Sequence, residues 1–273
     1  MKGLTILITM LMATSGWAYD ELDLIKFKSI NECDGCDLSG VKLFEADLSF
    51  ARLREVNLSK AELERSDLNN SILFGANLEG ANFIETDLSN ASLIRANLVR
   101  VRIMRADLSN ANLQSANLMG AYLVETDLNN AVGCCINFKG ANLKKANLSG
   151  VVMGRSILDD VNLSEANLYH ANFNNASFTG ANFEGANLSF SDFSKANLKG
   201  ANFEGADLSF SYFSKANLKG VNLSGVNLES ANLNQANLTD VDFTKASSLR
   251  NISLDDAIYC NTTLPWGVLN DGC

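Results

Sequence analysis

The 273-residue chain has 22 lysine and arginine residues against 31 aspartate and glutamate residues, so its formal net charge is -9 at pH 7. This acidic balance excludes the basic footprint of a nucleic-acid-binding protein and disfavours an anionic membrane surface as a partner. The chain is long enough to bury a sizeable core, and its one proline, Pro265, leaves no proline-rich linker to divide it.

The first 18 residues have the pattern of an export signal. Lys2 supplies a positive start, residues 4–12 form a short apolar run, and Gly16 and Ala18 fit the small positions before a cleavage site. An apolar run of about ten residues is too short to span a bilayer, which disfavours a membrane anchor. We therefore expect residues 1–18 to be a signal peptide and the protein to be exported.

From Cys36 to Phe243 the sequence repeats every five residues. Every fifth residue from Leu38 is Leu, Phe, Ile or Met, apart from Gly133, and every fifth residue from Cys36 is almost always Ala, Val, Ser or Thr. Five residues turn an α-helix by about 500°, so this period gives a helix no apolar stripe. In a strand the first and third residues share a face. Each unit therefore predicts a three-residue wall followed by a two-residue corner.

A longer period of twenty residues indicates four walls per coil. Residues 181–200 recur at 201–220 with only two differences. Charges at the same spacing alternate in sign: Glu45, Arg65, Glu85, Arg105, Glu125, Lys145 and Glu165. Stacked strands lie about 4.8 Å apart, so opposite charges would face each other on neighbouring coils, which is favourable. A three-walled coil of fifteen residues would break this alternation.

The units ANLSG, ADLSN and ANFEG resemble the A(D/N)LXX unit of the pentapeptide repeat proteins. The resemblance covers residues 36 to about 243, some forty consecutive units. It implies an all-β fold, a right-handed quadrilateral β-helix with the Leu, Phe and Ala positions inside. At twenty residues per coil, the repeat region predicts about ten coils and a rod roughly 50 Å long.

Two flanking segments are expected to cap the β-helix, which we place at residues 36–245, because the terminal coils of a solenoid expose unpaired backbone. The N-terminal segment, residues 19–35, has the apolar residues of a short amphipathic cap: Leu22, Ile25, Phe27 and Ile30. The C-terminal segment, residues 246–273, resembles the closing segment of exported pentapeptide proteins, including those of cyanobacteria and the thylakoid lumen. The resemblance implies a periplasmic or lumenal location, or secretion.

The six cysteines form three groups along the rod: Cys33 and Cys36, Cys134 and Cys135, and Cys260 and Cys273. The middle group lies about five coils, or roughly 24 Å, from the first. Bridged cysteines need Cα atoms within about 7 Å, so the groups cannot pair with one another or share a zinc ion. We predict that the first and last groups form disulfides that pin the caps. Cys134 and Cys135 are either free thiols or a vicinal pair.

A search for catalytic chemistry favours a protein that is not an enzyme and has no cofactor or metal. The single histidine, His170, occupies a predicted corner, where a solvated role is expected. A column of aspartates at twenty-residue spacing, from Asp47 to Asp127, places one carboxylate on each coil, whereas Ca²⁺ takes six to eight ligands. We expect these aspartates to act in solubility and corner hydrogen bonding. The stack of Phe173, Phe193 and Phe213 is interpreted as core.

The leucine column breaks once, at Gly133, within AVGCCINFKG. Losing a buried leucine costs about 2–5 kcal/mol unless the space is refilled, and Ile136 on the next wall is placed to refill part of it. The break is either sequence drift or an outward bulge that presents Cys134 and Cys135. Nearby outward positions are unusually apolar, and we hypothesise that they form a contact band for a protein partner or for self-association: Ile84, Met104, Val124, Met119, Val132 and Val152.

Two functions remain, and we favour a structural or protein-binding rod in an extracytoplasmic compartment. The alternative follows from the resemblance to quinolone-resistance pentapeptide proteins, which mimic DNA and bind gyrase. Duplex DNA carries one charge per roughly 1.7 Å, so 50 Å of it holds about thirty negative charges. The chain has a net charge of only -9, and its basic residues are spread along its length. Export would also separate it from gyrase.

Overall fold

The computed structural model describes residues 19–273, and most of them form one stack of coils. The middle residue of each three-residue wall forms a β-bridge. It pairs in parallel with the residue twenty positions further along, from Glu32 with Arg52 to Asn217 with Asn237. Four five-residue units therefore separate stacked partners. The hand of the winding, the quadrilateral outline and the number of coils stay predictions, and the predicted signal peptide lies outside the described residues.

Backbone hydrogen bonds on both sides of each wall residue join neighbouring coils. The N–H of Leu78 donates to the carbonyl oxygen of Asn97 at 2.7 Å, and the N–H of Asn97 donates to that of Ala76 at 2.9 Å. Ala76 and Leu78 point inward and are fully buried, as are their counterparts in most units. The interior phenylalanines stack in register, with 5.4 Å between the ring centroids of Phe173 and Phe193. The predicted inward positions thus form one continuous core.

Where the middle residue of a wall is Asp or Asn, its side chain stabilises the corner that follows. Asp87 Oδ1 accepts the N–H of Ser89 at 2.8 Å, and Asn162 Oδ1 accepts that of Ser164 at 3.1 Å. The second corner residue has a left-handed backbone, as at Arg105 with φ 55°, a conformation that costs a non-glycine residue about 1–2 kcal/mol. Its N–H donates to the next coil, here to Val124 at 3.1 Å. The ladder holds this backbone in place, and the Asn/Asp hydrogen bond adds to it in the units whose middle wall residue is Asn or Asp.

Helix α1, Glu21–Ile30, covers the first coil. Asp20 caps its N-terminus by accepting the N–H of Leu22 at 2.8 Å. The Asp23 carboxylate accepts the N–H of Asp37 at 2.8 Å, which fastens the helix to the coil. The segment was predicted to be an amphipathic cap, but only Phe27 of its apolar residues is fully buried. Three of them are exposed on the helix: Leu22, Ile25 and Ile30.

The coils continue beyond the boundary predicted at residue 245. The N–H groups of Ser247 and Ser248 both donate to the carbonyl oxygen of Val226, at 2.8 and 3.4 Å, which is the pattern of a β-bulge. One extra residue is inserted here, so the pairing continues with a spacing of 21, up to Asp242 with Thr263. The insertion hides the repeat in the sequence while the coil itself goes on.

A small antiparallel hairpin closes the C-terminal end. Strand β1, Thr262–Leu264, pairs with strand β2, Gly267–Leu269. Cys260 and Cys273 are bridged across this hairpin with 5.0 Å between their Cα atoms. Within residues 19–273, helix length and hydropathy identify no segment that would cross a membrane.

Reduction should loosen the two ends and leave the coils intact. The disulfides, Cys33–Cys36 and Cys260–Cys273, each join residues of one end, whereas Cys134 and Cys135 are free. We expect hydrogen exchange to accelerate in residues 20–36 and 258–273, with protection of residues 60–220 and the β-type far-UV circular dichroism unchanged. Global unfolding under mild reduction would contradict this prediction.

Candidate functional site

The corner at Gly133 departs from the repeating geometry. A Cβ atom on Gly133 would lie 2.7 Å from the backbone nitrogen of Gln114, so the chain approaches the preceding coil too closely for any side chain. In a regular unit the N–H of the first residue donates to the carbonyl oxygen three residues before it, as that of Ala141 does. The N–H of Ile136, one unit after Gly133, donates instead to Ser156 Oγ at 3.1 Å. Ile136, on the wall that follows Gly133, is fully buried.

Two thiols follow Gly133 on the surface. Cys134 and Cys135 are exposed and unbridged, with 3.4 Å between their sulfur atoms. The hydrogen bond with Cys134 raises the pKa of the Cys135 thiol, desolvation and the charge on Cys134 add to it, and Arg155 acts in the opposite direction. Consecutive Cα atoms are about 3.8 Å apart across a trans peptide, below the usual disulfide range of about 4.4–6.8 Å. The corner geometry therefore favours the dithiol, which suits a thiophilic centre that takes two sulfur ligands.

A shallow depression of about 380 Å³ lies beside Cys134. Val132 and Val152 form its apolar wall and are 41% and 50% exposed. Arg155 and Gly154 line its other side. The depression therefore combines a thiol, an apolar wall and a cation, and it is open to solvent.

The six residues of the hypothesised contact band lie on three separate strips, because positions share a strip only when they differ by twenty. Three half-buried residues follow one corner on successive coils: Ile84, Met104 and Val124. Val132 and Val152 pair on a wall, and Met119 lies at another corner. The structure does not bring the six together into one patch.

Alternating charges run beside the strip of Ile84, Met104 and Val124. Arg65 contacts Glu45 at 3.6 Å and Glu85 at 3.0 Å. The hydrogen bond from Arg65, with a further contribution from Arg105, holds the pKa of the Glu85 carboxyl below its usual value. These ion pairs are exposed, so each stabilises the fold only slightly. Their main effect is that the positive and negative charges of this corner column cancel.

The corner hydrogen bonds predicted for the aspartate column are confirmed. Asp47 and Asp107, for example, accept the N–H two residues further on, at 3.1 and 2.7 Å. At the end of the column, Asn147 donates its amide to Asp127 at 3.0 Å. Among residues 19–273, the side chains close enough to share a metal ion are Asp23, Cys33 and Cys36, but the two sulfurs form a disulfide.

Sequence reasoning missed an exposed aromatic strip in the C-terminal half. His170, Phe190 and Phe210 occupy one corner on successive coils, with 5.3 and 4.8 Å between adjacent ring centroids. Tyr169 packs edge-on against His170 at 4.4 Å. Phe190 and Phe210 are 41% and 42% exposed. The sequence could have revealed this strip, because its three rings replace the asparagine that the same column holds in four earlier coils: Asn70, Asn90, Asn110 and Asn130.

Replacing Gly133 by alanine should destabilise the protein more than an ordinary corner substitution. The added Cβ would meet backbone at 2.7 Å, whereas a Cβ on the control residue Gly140 meets nothing within 4 Å. We expect Gly133→Ala to lower the free energy of unfolding by about 2–3 kcal/mol more than Gly140→Ala does. Urea denaturation of both variants measures the difference, and equal effects would show that the close approach is unimportant.

The two thiols should capture one trivalent arsenical per chain. Phenylarsine oxide would form two As–S bonds, and the two thiol protons would leave with its oxygen as water. Mass spectrometry should show one adduct on the native protein, and Cys134→Ser should weaken binding by roughly 100-fold, because the second bond is intramolecular. The control variant is Cys33→Ser, assayed without a reductant. It tests whether the cysteines at the capped ends contribute to the binding of the arsenical. Equal affinity in Cys134→Ser would show that the sulfurs do not act as a pair.

The sequence profile described as Pentapeptide repeats matches the chain in eight copies, over residues 32–70, 71–110, 102–132, 111–150, 186–225 and 222–258. A second profile, Pentapeptide repeat region, matches residues 133–203. A search of curated proteins finds no match.

Several solved structures are similar in architecture. HetL of the cyanobacterium Nostoc sp. strain PCC 7120, a pentapeptide repeat protein involved in heterocyst differentiation regulation, is 25% identical over 90% of this chain and 97% of its own, with a TM-score of 0.35. Full-length QnrB1, a plasmid-mediated fluoroquinolone resistance protein, is 17% identical over 81% and 94%, with a TM-score of 0.32. A pentapeptide repeat protein of the Arabidopsis thaliana thylakoid lumen is 31% identical over 38% and 68%, with a TM-score of 0.26.

TM-scores this low give the superpositions no weight in an argument about function. The family matches span more than half of the chain, and the units they match are those that pair at twenty-residue spacing. The resemblance inferred from the A(D/N)LXX units is therefore confirmed, and the chain belongs to the pentapeptide repeat family.

Proposed function

We propose that this protein is a non-enzymatic rod that binds another protein in an extracytoplasmic compartment. The observation that carries the proposal is the division between a filled interior and an exterior with apolar side chains in register. Leucine, phenylalanine and alanine fill the inward positions and are fully buried. The single histidine, His170, stacks on Phe190 at the surface. A solenoid built in this way offers surfaces for contact rather than an enclosed site for chemistry.

The bridged ends support an oxidising compartment. Disulfides persist in exported proteins and are rare in the cytosol, and both ends of the described chain carry one. The proposed domain plan has a signal peptide at residues 1–18, a cap at 19–35 and a β-helix that begins at residue 36. The β-helix continues past the boundary predicted at 245, as far as Thr263, so that the second cap, predicted at 246–273, is reduced to the closing hairpin. A periplasm or a thylakoid lumen fits this plan, and secretion fits it as well.

We assign the partner contact to the aromatic strip of His170, Phe190 and Phe210. Exposed aromatic residues are enriched where proteins bind one another, and these rings already stack in the unbound chain, so little side-chain freedom is lost on binding. The strip of Met104 and Val124 from the original contact band is the second candidate. It is less exposed, and charges flank it on each coil.

The alternative function is a DNA mimic that binds gyrase. Its support would come from the five stacked aspartates of one wall, Asp47 to Asp127. Carboxylates at strand spacing give one charge per about 4.8 Å, whereas duplex DNA has one per roughly 1.7 Å. Arg65 and Arg105 also neutralise the neighbouring corner. The charge density therefore favours the rod that binds a protein without mimicking DNA.

Three double variants test the assignment: Phe190→Lys with Phe210→Lys, Met104→Lys with Val124→Lys, and, as control, Asn110→Lys with Asn130→Lys. The control residues lie in the same corner column as the aromatic pair. Crosslinking in the native compartment should retain a partner with the wild type and the control and lose it with the aromatic variant. Thermal stability should be nearly unchanged, because all the substituted side chains point outward.

Partner binding that survives the aromatic variant but not the Met104 and Val124 variant would move the contact to the original band. Binding that survives both would show that neither strip is used. N-terminal sequencing of native protein should begin near Tyr19. A cytosolic protein that begins at Met1 and inhibits gyrase would overturn the proposal in favour of the DNA mimic.

A further inference from the structure

Helix α1 is apolar on two opposite sides. Phe27 is buried against the first coil, and Leu24 is packed against the same core. Leu22 and Ile25 lie on the other side and are 74% and 65% exposed. A helix that covers a protein normally turns polar residues toward water. The outward face of α1 therefore has the composition of a surface that is covered by a second element.

This outward face is held rigidly. The Asp23 carboxylate binds the N–H of Asp37 at 2.8 Å, and the N–H of Asp20 donates to the carbonyl oxygen of Asp37 at 3.0 Å. At the other end of the helix, the Asn31 amide donates to the carbonyl oxygen of Ser49 at 2.9 Å. The helix thus lies across the first coil, and its opposite face points away from the coils.

The coil beneath the helix also carries exposed apolar side chains at its corners. Phe44 and Phe50 are 50% and 68% exposed, and they lie at the two corners that flank the wall of Asp47. Asp47 and Phe27 line one depression between the helix and this coil. The N-terminal end consequently presents several large apolar side chains on a fixed support, the arrangement expected of a contact surface.

The charges on α1 match a second copy of the same helix. Acidic residues, Glu21 and Asp23, occupy its first turn, and Lys28 occupies its last. Glu21 and Lys28 are seven residues apart, about two helical turns, so they lie on the same flank. If two copies lie antiparallel about a two-fold axis, Glu21 of each faces Lys28 of the other. Leu22 of each copy then meets Ile25 of the other at the centre.

We propose that the outward face of α1 binds the same face of a second copy, so that two rods join end to end through their N-terminal caps. The contact is isologous, as expected for a two-fold dimer. A helix of this length is about 15 Å long, and the buried area falls below that of permanent complexes. The dimer is therefore weak and depends on concentration. This inference is independent of the partner contact proposed for the aromatic strip.

Sedimentation equilibrium of the purified full chain, with small-angle X-ray scattering to measure its length, tests the dimer. We expect dimers of about twice the monomer length at high concentration and monomers on dilution. Leu22→Glu should abolish the dimer, whereas Lys199→Glu, an exposed charge change far from the helix, should not. Circular dichroism and an intact Cys33–Cys36 bridge verify that the variants fold.

Charge exchange tests the antiparallel geometry. Glu21→Lys and Lys28→Glu should each weaken the homodimer by about tenfold, because each variant replaces two attractive pairs by two repulsive ones. A mixture of the two variants should form heterodimers with the wild-type affinity, since every pair is then opposite in sign. A helix that had merely lost stability would not be rescued by mixing.

Three results would overturn the proposal. The first is a wild-type protein that stays monomeric at every accessible concentration. The outward face of α1 would then be covered by residues of the same chain or by a different protein. The second is a dimer that Leu22→Glu leaves unchanged, which would place self-association elsewhere on the rod. The third is a mixture of charge variants that binds no more tightly than either variant alone. If the wild type gives the first of these results and still crosslinks to another protein, this inference fails and the proposed function stands.

Discussion

The parallel pairing of each wall residue with the one twenty positions along is the constraint on which the rest of the structure depends. It places Asn77 on Asn97 and Asp87 on Asp107, and it joins their backbones by hydrogen bonds of about 3 Å. Any side chain that recurs at this spacing becomes a column on the surface or in the core. The charge ladder, the aspartate wall and the aromatic strip are therefore different consequences of one pairing rule. A function that uses such a column needs only repeated substitution at a single position of the coil.

The corners show how the pairing tolerates local departures. Residues such as Arg105 adopt a left-handed backbone that is unfavourable without a glycine, and the hydrogen bonds to neighbouring coils compensate for that cost. The same ladder absorbs an inserted residue at Ser247 as a bulge. It also accommodates the close approach at Gly133, where Ile136 is buried in the core. Irregular sites on this rod are thus held by regular neighbours, which is how the Cys134–Cys135 pair is kept exposed on a firm support.

Much of the fold was predictable because it depends on spacing alone. The inward positions, the twenty-residue period and the separation of the three cysteine groups follow from counting along the chain. Counting failed at the insertion near Ser247, since one added residue erases the period without ending the coil. Assigning Ile84, Met119 and Val132 to one band ignored that they occupy different columns. The exposure of Leu22 and the stacking of Phe190 on Phe210 depend on how elements pack in three dimensions, which a one-dimensional pattern does not specify.

Crosslinking between neighbouring coils tests the pairing most directly. In a background where Cys134 and Cys135 are replaced by serine, cysteines at positions 77 and 97 would occupy paired walls, where the Asn97 amide now donates to Asn77 Oδ1 at 3.0 Å. Cysteines at positions 77 and 92 would test a coil of fifteen residues instead. Mild oxidation followed by peptide mass spectrometry should show an efficient disulfide in Asn77→Cys with Asn97→Cys and none in Asn77→Cys with Ser92→Cys. The opposite result would contradict the twenty-residue coil and every surface column derived from it.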